Sequence, residues 1–319
     1  MNIIVINDQL EPAHRRLLEE KAAQYGYDIY FFRYQTDAMD FDKLEDCEIV
    51  YGQANRLLDK LPNLKLLHLS SAGNDHYLNN PKLKSDTILS NASGSYGVSI
   101  SEHLIMVTLS LLRHFPDYVH YQKNHIWGPK QEQGSIIDSN ITILGTGDIC
   151  SEFAKRVRAF SPKKIIGVNT SGYNNGLFDE VITMDRLDEV LPDTDILVSA
   201  LPRTPQTTDI LNKERFAIMK NSAIVLNVGR GNLIKEEDLI YALNNGIIAG
   251  AGLDVFDKEP LEKDNPLWSA RNIIITPHVS GNQTIPYTRK RNVEIFIEQL
   301  ENYCTGKPLI NVVDMKKGY

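Results

Sequence analysis

Residues 140–160, NITILGTGDICSEFAKRVRAF, constrain this chain more than any other stretch. A short run rich in β-branched residues, Ile141 to Leu144, meets Gly145-Thr146-Gly147, and Ile149, Phe153, Val157 and Phe160 then recur on one face of a helix. Gly145 permits a tight turn, and Gly147 lets the backbone approach a ligand closely. The positive end of the following helix attracts an anion, so strand, glycine turn and helix together predict a bound dinucleotide pyrophosphate. Cys150 stands where that fingerprint carries a third glycine, small enough for close helix–strand packing. Asp148 is either a helix cap or a charge set against the diphosphate.

The rest of the chain repeats the alternation. Ile3–Ile6, Asp28–Phe32, Glu48–Tyr51, Leu64–Leu69 and Thr87–Leu89 read as strands, with a helix at Glu11–Gln24. After the glycine turn, Lys164–Val168, Asp195–Ala200, Ala223–Asn227, Ile248–Leu253 and Ile273–Thr276 read as strands, mostly apolar throughout as in a sheet buried on both faces. Helices fit at Arg186–Leu191, Lys213–Met219, Glu236–Asn244 and Pro286–Tyr303. This predicts an α/β fold of two Rossmann-like, doubly wound parallel-sheet domains, in keeping with 319 residues at roughly 150 per domain. The last helix is expected to return to the first domain, which is then discontinuous: 1–95 with 286–319, against 96–285. From Val98 to about Gln122, Ile100, Leu104, Val107, Leu111 and Phe115 keep helical spacing, and Pro116 should kink or split the helix. A helix this apolar reads as a domain connector or a subunit contact.

Apolar residues at 42% and charged residues at 24% place the chain among globular proteins, and a net charge of −7 argues against a nucleic-acid surface or an anionic membrane. Cys47, Cys150 and Cys304 lack metal-ligand spacing, so no metal site is expected and a reducing, cytoplasmic setting is. The opening MNIIVIND has no basic segment and does not read as a signal peptide.

A parallel sheet binds ligands at the carboxyl ends of its strands. Ser70-Ser71-Ala72-Gly73-Asn74 follows one strand, and its small residues leave backbone N–H groups for an anion. Three more segments end strands of the second half: NVGRG with Arg230, AGLDVFDKEPL with Asp254 and Glu259, and TPHVSG with His278. Arg230 between two glycines offers a planar fork that matches a carboxylate. A Glu and a His on neighbouring loops can pair, the carboxylate holding the imidazole tautomer and favouring its protonated form. An imidazolium beside a carbonyl oxygen supplies the proton that ketone reduction by hydride needs.

GTGDIC, LPRTPQTTDILN, NVGRG, AGLDVFDKEPL and TPHVSG, in this order and spacing, resemble the D-isomer-specific 2-hydroxyacid dehydrogenase family over nearly the whole chain. The resemblance implies a substrate (flavodoxin-like) domain and a dinucleotide-binding domain with a cleft between them, NAD or NADP as cofactor, a small 2-ketoacid or D-2-hydroxy acid as substrate, and a homodimer. It implies that Arg230 orients the substrate, that His278 is the acid/base and that Glu259 is its partner. It places the substrate carboxylate on the Ser71, Ala72 and Gly73 loop. It lines the cofactor with Gly145, Thr146, Gly147, Asp148 and Ile149, with Leu201, Pro202 and Thr207, and with Val228, Gly229, Arg230, Asp254, His278 and Gly281.

One departure bears on the cofactor. About 20 residues after the glycine turn, where an acidic side chain accepts the 2′-hydroxyl of NAD, the chain reads Asn169-Thr170-Ser171. Without that carboxylate a 2′-phosphate is not repelled, and the reading leans to NADP, although no arginine adjoins. Two alternatives remain. A cofactor-sensing regulatory protein of the same fold would have no use for the Arg/Glu/His set, and formate-oxidising relatives carry Gln where Glu259 stands.

Overall fold

The computed structural model describes residues 1–33 and 41–319. These form two compact units, Met1–Tyr96 with Asn282–Tyr319, and Gly97–Gly281.

In the first unit, β1 (Asn2–Ile6), β2 (Asp28–Phe31), β3 (Cys47–Gly52), β4 (Leu66–His68) and β5 (Ile88–Ser90) make a parallel sheet of order β2-β1-β3-β4-β5. The chain reverses its winding direction between β1 and β3, so a crevice opens at their carboxyl ends. Gly52 lies there with φ +126°, and a Cβ on it would fall 2.0 Å from the Ile6 carbonyl oxygen; only glycine fits. Side chains alternate across the sheet. Ile3, Val5, Ile49, Tyr51 and Leu66 enter one core, while Ile4, Ile6, Val50 and Leu67 enter the other. Both faces are buried, and so the strands read as continuous apolar runs rather than alternating ones.

The last helix of the chain, Pro286–Thr305, closes the first of these cores with Val293, Phe296 and Leu300. The Phe296 ring lies flat on Tyr51, centroids 4.2 Å apart and planes 5° from parallel. His68 sits in the same cluster, fully buried, with its Nδ1 2.9 Å from Ser90 Oγ.

In the second unit, β6 (Asn140–Leu144), β7 (Lys164–Asn169), β8 (Glu180–Thr183), β9 (Ile196–Ser199), β10 (Ile224–Asn227), β11 (Gly250–Leu253) and β12 (Ile273–Ile275) pair in parallel, in the order β12-β11-β10-β9-β6-β7-β8. This is the doubly wound dinucleotide-binding order with one strand added, and it reverses between β6 and β9. Among the described strands and α-helices, two escaped the sequence pattern, the short edge strand β8 and a one-turn helix at Phe41–Glu45.

The long apolar helix is two helices, Gly97–Leu112 and Phe115–Lys123. His114 breaks it in the left-handed conformation, φ +52°. Pro116 then falls in the first turn of the second helix, where a missing N–H costs no hydrogen bond. The first helix packs against β10 and β11, and Val107 leaves no room for a side chain at Gly252, where a Cβ would meet it at 2.3 Å. No helix among the described residues is long and apolar enough to cross a membrane.

Candidate active site

The glycine turn lies at the carboxyl end of β6, where the winding of the second sheet reverses. Gly145 has φ +96°, and a Cβ on Gly147 would meet nothing within 4 Å. The N-cap of the helix that begins here, Asp148–Val157, is Gly147, which brings no capping side chain. Asp148 is a cap, but of another helix. Its carboxylate accepts from the Gly97 N–H at 3.0 Å, at the start of the Gly97–Leu112 helix. Cys150 is buried against the turn, its sulfur 3.6 Å from the Leu144 carbonyl oxygen, and burial pushes its thiol up to about 12. The third position is therefore filled by a neutral, compact group, and an open glycine turn at a helix N-terminus without a capping side chain fits a pyrophosphate.

At the end of β7 the Asn169 side chain serves its own loop. Its amide nitrogen donates to Thr146 Oγ1 (2.8 Å) and to the Tyr173 carbonyl (2.9 Å). Its oxygen accepts from the Ser171 and Gly172 N–H groups at 3.1 and 2.6 Å. Thr170 and Ser171 lie exposed on this loop. Thr207 is likewise committed: its hydroxyl donates to the Pro202 carbonyl at 2.7 Å and accepts from the Thr204 N–H at 2.8 Å, which holds the Leu201–Pro202 turn in shape.

The loops after β9, β10 and β11 touch through glycine. A Cβ on Gly229 would lie 2.5 Å from the Leu201 oxygen, and one on Gly231 would lie 1.8 Å from the Phe256 carbonyl carbon. Arg230 is thus held between two backbone contacts that admit no side chain. Asn227, which the sequence reading passed over, clasps this turn: its oxygen accepts from the Gly229 N–H (3.1 Å) and its amide donates to the Arg230 carbonyl (2.9 Å). Val228 is buried beside it.

His278 and Glu259 meet. Glu259 Oε2 lies 2.8 Å from His278 Nδ1, while Oε1 accepts from the Phe256 N–H at 2.9 Å. An ionised carboxylate can only accept, so Nδ1 carries hydrogen and Nε2 is the atom that can give or take a proton. His278 sits at φ +53°, a conformation that non-glycine residues adopt at a cost. Asp254 holds it there. Its buried carboxylate accepts from the Thr276 hydroxyl (2.6 Å) and from the Val279 (2.9 Å) and Ser280 (3.0 Å) N–H groups, and its carbonyl accepts from the His278 N–H. Thr276 Oγ1 is also 3.3 Å from His103 Nε2. Burial holds His103 below the ordinary histidine range, opposed by the Asp254 charge.

In the first unit the loop after β4 is built from spent carbonyls. The Ser71 carbonyl accepts from the Ala92 N–H (3.0 Å), that of Ala72 from the Asn91 amide (3.0 Å) and that of Gly73 from the Ser71 hydroxyl (2.8 Å). In a trans peptide the N–H points away from the carbonyl of the preceding residue. Ala72 and Gly73 therefore present their N–H groups on the opposite side, and neither finds an acceptor among the described residues. Both N–H groups are therefore available to an anion.

A doubly wound sheet with an open glycine turn at its reversal point and an Arg, Glu and His on adjoining strand ends defines a nicotinamide-dinucleotide oxidoreductase. The chain belongs to the D-isomer specific 2-hydroxyacid dehydrogenase family, whose NAD binding domain matches residues 105–280. It is 33% identical to the hydroxypyruvate reductase of Blautia hydrogenotrophica over 85% of this chain and 86% of that protein. A family structure from Aeromonas salmonicida superposes with a TM-score of 0.85 at 32% identity, covering 98% of this chain and 99% of the other. The NADPH-dependent glyoxylate/hydroxypyruvate reductase of Sinorhizobium meliloti, solved with NADP and sulfate, gives 0.84 at 27% identity over all of both chains.

Proposed function

We propose that this protein reduces a small 2-ketoacid, hydroxypyruvate or glyoxylate, to the 2-hydroxy acid with NADPH. The observation that carries the reading is the His278–Glu259 pair at 2.8 Å, on strand ends that adjoin the Arg230 turn. When bound, the nicotinamide supplies the hydride. Gly145, Thr146, Gly147 and Ile149 would hold the pyrophosphate, Thr170 and Ser171 the 2′-phosphate, and Leu201, Pro202, Val228 and Gly281 the remainder.

Reduction adds a hydride to the carbonyl carbon and a proton to its oxygen. His278 Nε2 gives that proton, and Glu259, paired to Nδ1, steadies the imidazolium before transfer and the neutral ring after it. Arg230 draws the carboxylate and the carbonyl oxygen into one plane and stabilises the charge that develops on that oxygen. The Ala72 and Gly73 N–H groups would donate to the substrate carboxylate, with Ser71 holding their loop. Relatives named as hydroxypyruvate and glyoxylate/hydroxypyruvate reductases support the substrate class. Neighbours solved with NADP or NADPH support the cofactor.

We further propose a homodimer. Met106, Phe115, Ile126 and Trp127 expose apolar surface that a second copy of this chain would cover, and light scattering on the purified protein checks it.

The deciding experiment measures kcat/KM for glyoxylate, hydroxypyruvate and pyruvate with NADPH and with NADH. Hydroxypyruvate or glyoxylate with NADPH should stand at the head of the panel. Pyruvate in the lead refutes the substrate assignment, and a hundredfold preference for NADH refutes the cofactor assignment.

A further inference from the structure

The carbonyl of Ser70, immediately before the Ser71–Gly73 loop, accepts three side-chain donors. Gln283 Nε2 approaches at 2.8 Å and Asn292 Nδ2 at 3.0 Å, and the Tyr96 hydroxyl donates to the same oxygen. A carbonyl oxygen has two lone pairs, so three donors saturate it and fix its direction. The partners are themselves tied. Gln283 Nε2 also donates to the Tyr96 hydroxyl at 2.9 Å, and its oxygen accepts from Asn7 Nδ2 at 3.1 Å. Asn292 Oδ1 accepts from the Tyr51 hydroxyl at 2.6 Å. Tyr51, Tyr96 and Asn292 are almost wholly buried, and burial pushes the Tyr96 hydroxyl up to about 12, so it stays a neutral donor.

The positions of two of these residues in the chain matter. Tyr96 is the last residue before the chain leaves the first unit, and Gln283 is the second after it returns. Both passages therefore end, within the first unit, on one peptide oxygen at the root of the 71–73 loop. We infer that Tyr96 and Gln283 are positioning residues for the substrate carboxylate: they hold the Ser70 peptide so that the N–H groups of Ala72 and Gly73 converge on one point. The inference rests on the proposed assignment of that loop to the carboxylate. It differs from a general packing role because it predicts a loss confined to ketoacid binding. A planar peptide that rotates at Ser70 turns every N–H after it, whereas neither residue belongs to the unit that carries the glycine turn.

Three variants test it with glyoxylate as the ketoacid. Tyr96→Phe keeps the ring and removes the hydroxyl. Gln283→Glu is isosteric and sets a carboxylate oxygen against the Ser70 carbonyl. Ala72→Pro removes one N–H of the loop itself. Tyr96→Phe and Gln283→Glu should each raise KM for glyoxylate about tenfold, the scale of one lost buried hydrogen bond, with kcat within threefold. The Kd for NADPH, read from its fluorescence on binding, should not move. If the glutamate variant does not fold, Gln283→Met removes the same donor without charge. Unchanged KM in the Tyr96 and Gln283 variants, with Ala72→Pro impaired, overturns the inference and leaves the loop assignment standing. Unchanged KM in all three overturns both. Equal losses in KM and NADPH affinity also overturn the inference, because they mark general damage.

Discussion

Glu259 Oε2 lies 2.8 Å from His278 Nδ1, and each residue is fixed from behind by backbone, the glutamate through the Phe256 N–H and the histidine through the Asp254 clamp. Both side chains keep solvent access, 34% and 50% exposed. A pair this open adds little to stability, and its value lies in setting the tautomer. His278→Ala should lower kcat for ketoacid reduction by about 10²–10⁴-fold while the Kd for NADPH holds. Glu259→Gln replaces the acceptor by an amide that can face Nδ1 with either end, and should cost kcat about 10–100-fold. Single-turnover reduction of glyoxylate checks both, and a near-normal rate in the alanine variant removes His278 from the reaction.

Arg230→Lys keeps the charge and loses the fork. The flanking contacts at Gly229 and Gly231 leave the backbone no freedom to compensate. We expect kcat/KM to fall about 10–100-fold, the range of a charge-assisted hydrogen bond. Steady-state kinetics of the lysine and alanine variants decide it; an unchanged kcat/KM in either would show that the guanidinium does not touch substrate.

Cofactor preference is better tested at Ser171 than at Asn169. Asn169→Asp would add a charge and also remove the donors to Thr146 and Tyr173 that shape the loop, confounding repulsion with distortion. Ser171→Asp places the charge on an exposed side chain. Two like charges about 4 Å apart cost on the order of 1–4 kcal/mol near a surface, so kcat/KM with NADPH should drop about tenfold or more while that with NADH holds. Equal losses with both cofactors would show that Ser171 does not face the 2′ position.

His103 is expected to steady the His278 loop through Thr276. The Thr276 hydroxyl gives its single hydrogen to Asp254, so it must accept from His103 Nε2, which fixes that ring as the Nε2–H form. His103→Gln retains an N–H donor at that reach and should keep kcat within about threefold, whereas His103→Leu should lose about tenfold. Rescue by glutamine and not by leucine is the signature; similar rates in both variants would remove His103 from the relay.

Acid sensitivity should trace to His68. Burial lowers its pKa to about 3, so it is neutral in the folded protein, while an unfolded chain protonates it below about 6.5. Its contribution is therefore complete above pH 6.5 and is lost as the pH falls toward 3, at about 1.4 kcal/mol per unit. Urea midpoints at pH 7 and pH 4.5 should show a loss about 2–3 kcal/mol larger for the wild type than for His68→Gln. Equal losses would refute the assignment.

Much of this was legible in the sequence because it is local. Strands buried on both faces spell themselves as apolar runs, and Arg230 and His278 stand beside glycine and proline that mark strand ends. What stayed hidden depends on distant partners. Asp148 reads as either a cap or a charge beside a phosphate until its acceptor role toward Gly97, 51 positions earlier, is seen. Asn169 reads as a ribose contact until its amide is found engaged in its own loop. Asn227, Tyr96 and Gln283 are unremarkable residue types, and only the carbonyls and N–H groups they hold give them a role. The strand β8 is four residues long with polar ends, too short for a pattern to declare itself.

The flat stack of Phe296 on Tyr51 bears on how this chain is made. Synthesis proceeds at about 5–20 residues per second, and about 200 residues separate Tyr96 from Phe296. For roughly 10–40 seconds, then, the sheet begun first lacks the helix that seals one of its faces, and Ile49, Tyr51 and Leu66 have only the growing chain to shield them from water. Gly97–Gly281 holds its whole sheet in one continuous segment and can finish within that interval. The part of the molecule translated first is the part completed last, and its nascent apolar face is where chaperones and aggregation compete.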